Sequence, residues 1–236
     1  MAEALVLSGA GRYADPWHPF GRTSLRLASL ATEAGYGVSI TEEIDQALSV
    51  MTSLDLLIVN AGDPWRLVAG GRRREHLDRD QLAAGEERLR TAIESGLAVL
   101  AVHQAVSSLR DYPSFRSLIG CAWEPGVTWH PPLGEAEVRL VPGHPAVRGL
   151  ADFRLDDERY VDLYYREPPE PFAWHEEAGR RHPLAWSHEV GDARVVIDLL
   201  GHDERSYDAP EHCQLLVQAM RWQCGGPAPT DPVVSA

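Results

Sequence analysis

Apolar runs and amphipathic stretches take turns along the N-terminal half of the chain, and this alternation predicts a fold before any composition is counted. Ala4-Leu5-Val6-Leu7-Ser8 is a short apolar run that breaks at Ser8-Gly9-Ala10-Gly11, the pattern of a buried strand entering a loop. From Thr23 to Ala34, Leu25, Leu27, Ala28, Leu30 and Ala31 recur at helical spacing, with Gly35 and Gly37 as stop signals. Gly37-Val38-Ser39-Ile40 predicts a second strand and Asp55-Leu56-Leu57-Ile58-Val59-Asn60 a third, closed by Ala61-Gly62-Asp63-Pro64. Helical spacing returns from Gln81 to Ser95, Gly96 ends it, and Leu97 to Val102 follows as the most apolar segment. Strands apolar on both faces, alternating with helices, belong in a parallel sheet covered on both sides through right-handed crossovers.

The pattern then changes. Glu135 to Val141, Phe153 to Tyr165 and Phe172 to His175 read as short extended pieces divided by prolines and charges, an embellishment on the core. Alternation resumes with Pro183-Leu184-Ala185-Trp186, the run Ala193 to Leu200, and a helix from about Pro210 to Gln223. The stretch from Gly225 to Ala236 holds Pro227, Pro229 and Pro232 without apolar period. The expectation is one α/β domain over residues 1–225, a doubly wound, mainly parallel sheet with a β-rich insertion, and a loosely held tail, 226–236.

Composition narrows the setting. The chain has 236 residues, 44% of them hydrophobic, enough for one large α/β domain. No stretch approaches the roughly 20 apolar residues that cross a bilayer, and no basic region or cleavage site surrounds Leu5-Val6-Leu7. A cytoplasmic protein without a membrane partner is expected. Acidic residues outnumber basic ones 35 to 22, and the formal charge of −13 repels phosphate backbones, so no nucleic-acid partner is expected. The basic run Arg72-Arg73-Arg74 is offset by Glu75, Asp78 and Asp80 and reads as a solvated loop or helix start. Cys121, Cys213 and Cys224 are too widely spaced for a disulfide framework or zinc knuckle and read as reduced thiols. No nucleotide cofactor is expected, and a homo-oligomer stays open.

Ligands of open parallel sheets bind outside the carboxyl ends of the strands. Strand one leads to Asp15, Trp17 and His18, strand three ends at Asn60, strand four at His103, and the late strand at Gly201-His202-Asp203. Val102-His103-Gln104-Ala105 has the strand-to-helix layout of a nucleophile elbow, with an imidazole suited to general-base or metal-ligand chemistry. His103 and His202 are therefore the expected catalytic pair, with His18 and Asn60 binding substrate. His130 and Glu158, from the irregular middle section, would join His103 and His202 around a divalent metal, zinc first, although no dense motif such as H-E-x-x-H is present. His144 and His182 precede prolines and read as turn residues; His76, His175, His188 and His212 read as surface or packing groups. Alanine at His103 is expected to abolish activity with little change in melting temperature, its side chain facing the pocket.

Several of these segments also occur in a recognisable order. Leu97 to Ala105 leads to Arg110-Asp111-Tyr112-Pro113-Ser114-Phe115 and Leu118-Ile119-Gly120; then come Trp129-His130-Pro131-Pro132, Gly143-His144-Pro145-Ala146-Val147-Arg148-Gly149-Leu150 and Asp157-Glu158-Arg159-Tyr160. His182-Pro183-Leu184-Ala185-Trp186, Leu200-Gly201-His202-Asp203 and a last helix with Arg221-Trp222 complete the series. Over about residues 4–225 the chain resembles the trehalose-utilisation, ThuA-like family. The resemblance implies a flavodoxin-like, class I glutamine amidotransferase-like fold in which His103 stands at that superfamily's catalytic cysteine position, so glutamine amidotransferase activity is not expected. It also implies use of a carbohydrate, trehalose or a related disaccharide, with Asp111 and Tyr160 among the substrate-binding residues. Gln104 departs from the glycine common after the family's histidine. Two functions follow: an enzyme acting on a sugar or keto-sugar at a histidine-rich, metal-dependent site, or a non-catalytic sugar-binding or regulatory module.

Overall fold

In a computed structural model, described here for residues 1–68, 71–72 and 78–225, the predicted apolar runs form the parallel half of one sheet. Strands β1 (Glu3–Ser8), β2 (Gly37–Thr41), β3 (Leu56–Asn60) and β4 (Ala98–Val102) are joined through helices, and every residue of β3 and β4 is buried. Continuous burial is what a strand covered on both faces requires, and it explains why these runs do not alternate. Helix α1 (Phe20–Ala34) ends at Gly35, whose φ of 109° is the left-handed cap that only glycine takes without strain. Leu25, counted on its apolar face, is instead exposed.

Helix α2 (Ile44–Val50) was not expected, because seven residues with Ile44 and Leu48 as the buried pair are too short to show a period. Helix α3 (Arg79–Glu94) is capped by Asp78, whose side chain accepts from the backbone of Asp80 and Gln81 at 3.0 Å. Helix α4 (Pro113–Ile119) packs on α3 beside α2. Arg73 and Arg74 of the basic run lie outside the described residues, as does the tail 226–236.

The middle section is rich in β-structure, as expected, and joins the core directly. Strands β5 (Gly134–Leu140), β6 (Phe153–Asp157), β7 (Pro171–Glu177), β8 (Arg180–Val190) and β9 (Ala193–Asp198) continue the same sheet. Among the described residues it has nine strands in the order β2-β1-β3-β4-β9-β8-β7-β5-β6. Strand β9 pairs parallel with β4, and pairing from β8 to β6 is antiparallel. In β5, Ala136 and Val138 are buried while Glu135, Glu137 and Arg139 face out, the alternation of a strand covered on one face only. His182, expected in a turn, lies buried within β8, with its ring 5.4 Å from that of His175 on β7.

The parallel portion β2-β1-β3-β4-β9 has the flavodoxin-like order, reversing direction between β1 and β3. Right-handed crossovers on either side of that reversal place helices on opposite faces: α1 packs with α5 (Pro210–Gln223), and α3 with α2 and α4. The loops leaving β1, β3, β4 and β9 therefore meet at one edge. Two loops of the antiparallel half also return there, held by pairing of Cys121–Ala122 with Tyr164–Tyr165 and by a bridge between Trp129 and Val161.

Candidate functional site

His103 occupies the turn after β4 at φ 47°, the left-handed conformation of a strand-to-helix elbow, and leads into a 3-10 turn, His103–Ser107. Its ring is buried, and Nδ1 lies 2.7 Å from the carbonyl of Leu199, which fixes the proton on that nitrogen. Nε2 then faces the site, 2.9 Å from the Tyr160 hydroxyl. Tyr160 donates its proton to Gln104 Oε1 at 2.8 Å, so Gln104 orients the tyrosine from the turn itself. With that proton committed, the contact to Nε2 is satisfied when His103 is the doubly protonated donor, and a cation bound at the cluster would take the place of the Nε2 proton. Burial opposes that charge, yet Glu158, Asp157 and the Leu199 carbonyl outweigh it and raise the pKa of His103 above its ordinary value.

His18 reaches the same point from the loop after β1. Asp15 accepts from the backbone of Trp17 and His18 at 2.9 Å and holds His18 Nδ1 at 2.7 Å. Burial lowers the pKa of His18, and the neighbouring imidazoles add to the effect against the pull of Asp15. The neutral ring, with its proton on Nδ1, turns a bare Nε2 inward, and that buried nitrogen has no hydrogen-bond partner.

His202 follows Gly201 at the end of β9. Asp157, fully buried at the end of β6, accepts from the backbone of Gly201 at 2.8 Å, of His202 at 3.2 Å and of Glu158 at 2.7 Å, and from Ser206 Oγ at 2.5 Å. One carboxylate thereby holds two site residues from different strands. Glu158 Oε2 is 3.1 Å from His202 Nδ1, off the line of a hydrogen bond, and 3.8 Å from His103 Nε2. Burial would raise the pKa of Glu158, but His103 and His202 hold it well below the carboxylate range.

One ligand atom from each of His18, His103, Glu158 and His202 lies within 4.8 Å of all the others, and the three imidazole centroids are 4.7 to 5.4 Å apart. These four residues could hold a metal ion: ring protons are anchored on a carboxylate and a carbonyl, and two buried nitrogens, His18 Nε2 and His202 Nδ1, have no hydrogen-bond partner. His18 and Glu158 of this cluster line a cavity of about 650 Å³ whose walls include Trp17, Trp65, Trp123 and Tyr160, while the His103 ring lies buried behind them.

The structure thus brings together four of the expected site residues, His103, His202, Glu158 and Tyr160, and promotes His18 from the rim to the centre. His130 moves the other way: it lines the cavity, but Nδ1 is 3.0 Å from the Pro131 carbonyl and 3.6 Å from Glu158 Oε1, outside the tight cluster. Asn60, expected on the rim, does not line the cavity. Its buried amide donates to Thr23 Oγ1 and Ser24 Oγ at 2.8 and 2.9 Å, tying β3 to α1. Asp111 is likewise absent from the lining, being paired with Arg12 and accepting from Trp65 Nε1 at 3.0 Å, so it positions a wall tryptophan. Sequence reasoning missed the roles of Asp15 and Asp157; a carboxylate three residues before a strand-end histidine, and another beside Glu158, are the signals that could have found them.

The remaining expectations resolve locally. His144 is a turn residue, its Nδ1 accepting from Ala146 at 3.1 Å, while His212 is buried against Asp198 at 2.7 Å and His188 contacts the Leu118 carbonyl. None of the three free cysteines lines the histidine cavity, and burial pushes the Cys121 thiol up to about 12.

Among solved structures, a ThuA-like protein from Parabacteroides merdae superposes with a TM-score of 0.75 at 16% identity, covering 98% of this chain and 92% of that one. A ThuA-like protein from Bacteroides uniformis gives 0.69 at 16% identity, over 94% and 91%. A cold-adapted β-galactosidase from Rahnella sp. R3 gives 0.59 at 14% identity, covering 96% of this chain but 32% of the enzyme. At these identities the likeness is one of fold. No curated protein matches the sequence. The family model for ThuA, trehalose utilisation, matches residues 4–223. Since that span runs from β1 to the last turn of α5 and takes in His18, His103, Glu158 and His202, the chain belongs to the ThuA family.

Proposed function

We propose that this protein is a metal-assisted enzyme acting on a carbohydrate, a disaccharide or its keto derivative, at the cavity above His18, His103, Glu158 and His202. The observation that carries the reading is the convergence of three imidazoles and a carboxylate with two buried nitrogens unpartnered, beneath a wall of tryptophans. Buried polar atoms without partners are costly, and a cation at their centre supplies the missing contact. A divalent ion bound there, zinc being the first choice for imidazole donors, supplies Lewis acidity and lowers the pKa of a water or substrate hydroxyl.

The chain's own groups do the rest. Trp17, Trp65 and Trp123 offer flat apolar faces for sugar rings. Burial and the charges of Glu158 and Asp157 raise the Tyr160 pKa well above its usual 10, so its hydroxyl stays protonated, donates to Gln104 and leaves its oxygen as an acceptor beside the cluster. Asp157 and Asp15 hold the ligand backbones and rings, which keeps the arrangement from being reorganised during binding.

The test combines metal analysis of the purified protein with turnover of a panel of disaccharides and their 3-keto derivatives, with and without chelator. One divalent ion per chain and a turnover lost on chelation are expected. A metal-free protein that turns over none of the panel would overturn the proposal, and sugar binding without turnover would replace the enzyme by a binding module.

A further inference from the structure

Away from the imidazole cluster, the cavity carries a charge opposite to that of the chain. Arg66 and Arg110 line it, and besides Glu158 the only carboxylate among its described lining residues is Asp63. Arg110 Nε lies 2.9 Å from Asp63 Oδ1 and 3.2 Å from the Ser107 carbonyl. Arg66 donates through Nη2 to the Ala14 carbonyl at 3.1 Å and stacks over Trp17, while its buried Nε has no partner.

Arg110 is also the wall shared with a second cavity of about 410 Å³, where Arg116 and Arg166 join it. Glu124 is the only carboxylate among the described residues lining that cleft. Four guanidiniums against Asp63, Glu124 and Glu158 leave one net positive charge across the two cavities, in a chain whose formal charge is −13. A neutral sugar has no use for that excess. Planar guanidiniums gathered in a cleft match oxyanions, which they can bind through paired, charge-assisted hydrogen bonds.

We infer that the carbohydrate bound here is anionic, its ring lying against the tryptophan wall and its phosphate or carboxylate entering the cleft of Arg110, Arg116 and Arg166. The inference rests on the carbohydrate reading above and adds the charge class of the substrate. Because Arg116 and Arg166 are exposed, the charge contribution weakens with salt. The acidic remainder of the molecule confines attraction to this one patch, which suits a single anionic group and not a polyanion.

Isothermal titration of the full-length, metal-loaded protein tests this with three probes of one scaffold: a neutral disaccharide, its monophosphate ester and its uronic acid. At least one of the two anions should bind about tenfold or more tightly than the neutral sugar, an advantage of the size expected for charge-assisted hydrogen bonds. The larger advantage identifies phosphate or carboxylate as the group received. The advantage should shrink at high salt and disappear in the Arg116→Gln/Arg166→Gln double variant. Both sites are exposed and lie outside the core, so the fold should tolerate the changes, with the circular dichroism spectrum as the check. Equal binding of all three probes overturns this inference alone, as does an advantage that survives the double variant. Failure of all three to bind overturns the carbohydrate reading and the inference with it.

Discussion

An imidazole is only as well placed as the group that holds its other nitrogen. Asp15 performs this for His18, and the Leu199 carbonyl for His103. Asp15→Asn keeps an acceptor for the two backbone donors but weakens the hold on the ring. It should therefore lower metal affinity by about 10 to 100-fold, the range for carboxylates behind ligating histidines, with only a small change in the melting temperature of the apo protein. Competition against a chromophoric chelator measures the affinity, and an unchanged value would remove Asp15 from the site. His103 needs a different probe from the alanine that the sequence alone suggests. Its side chain is 1% exposed, and alanine would strand the buried Leu199 carbonyl at a cost of about 1 to 3 kcal/mol. Asparagine tolerates the left-handed turn at φ 47°. His103→Asn is thus expected to fold while losing turnover by about 100-fold or more, as for removal of a general acid, base or ligand. Turnover within a few-fold of wild type would take His103 out of the chemistry.

At the scale of elements, the loop from β9 to α5 carries His202 through one glycine at positive φ. A Cβ on Gly201 would lie 2.8 Å from Tyr207 Oη and 2.9 Å from Val102 Cγ1, at a φ of 109°. Gly201→Ala should cost about 1 to 3 kcal/mol from strain and overpacking and displace His202, so that thermal stability and metal affinity fall together; loss of neither would refute the argument. The turn at Pro145–Val147 adds a pH dependence. Burial lowers the pKa of its capping His144 from 6.5 to about 4, so the folded state favours the neutral ring. Its contribution is complete above pH 6.5 and is lost as pH falls toward 4. His144→Asn keeps a capping acceptor but gives up the stack on Phe172. The variant should melt below wild type at neutral pH, and the gap should close through that window; a gap independent of pH would show that His144 does not titrate there. These elements differ in how legible they are. Fully buried runs such as Leu56–Asn60 announce themselves by composition, whereas α2 is two turns long and β5 alternates over seven residues without revealing which strand it pairs with.

At the scale of the molecule, what could be read was the order of strands and loops, and what could not was which side chains face one another. His103 and His202 were legible because each ends an apolar strand. Asn60 ends one too, yet its amide is consumed by Thr23 and Ser24, and a donor's partners 36 and 37 residues away leave no local pattern. His18 and His130 exchanged roles for the same reason, since their distance from the cluster depends on how two loops fold over one sheet edge. The fold itself decides less than its occupants do. The flavodoxin-like architecture places His103, and no cysteine, at the strand-to-helix elbow, and the three thiols of this chain are elsewhere: Cys121 in a short paired strand, Cys213 on α5 and Cys224 at its end. Cys121 is also buried with its pKa raised to about 12, far from the thiolate that nucleophilic attack requires. Ammonia release from glutamine is accordingly expected to stay at the uncatalysed level, and a variant with all three cysteines replaced by alanine should match wild type on the proposed disaccharide panel. A glutaminase rate that disappears with any one of those cysteines would overturn this expectation.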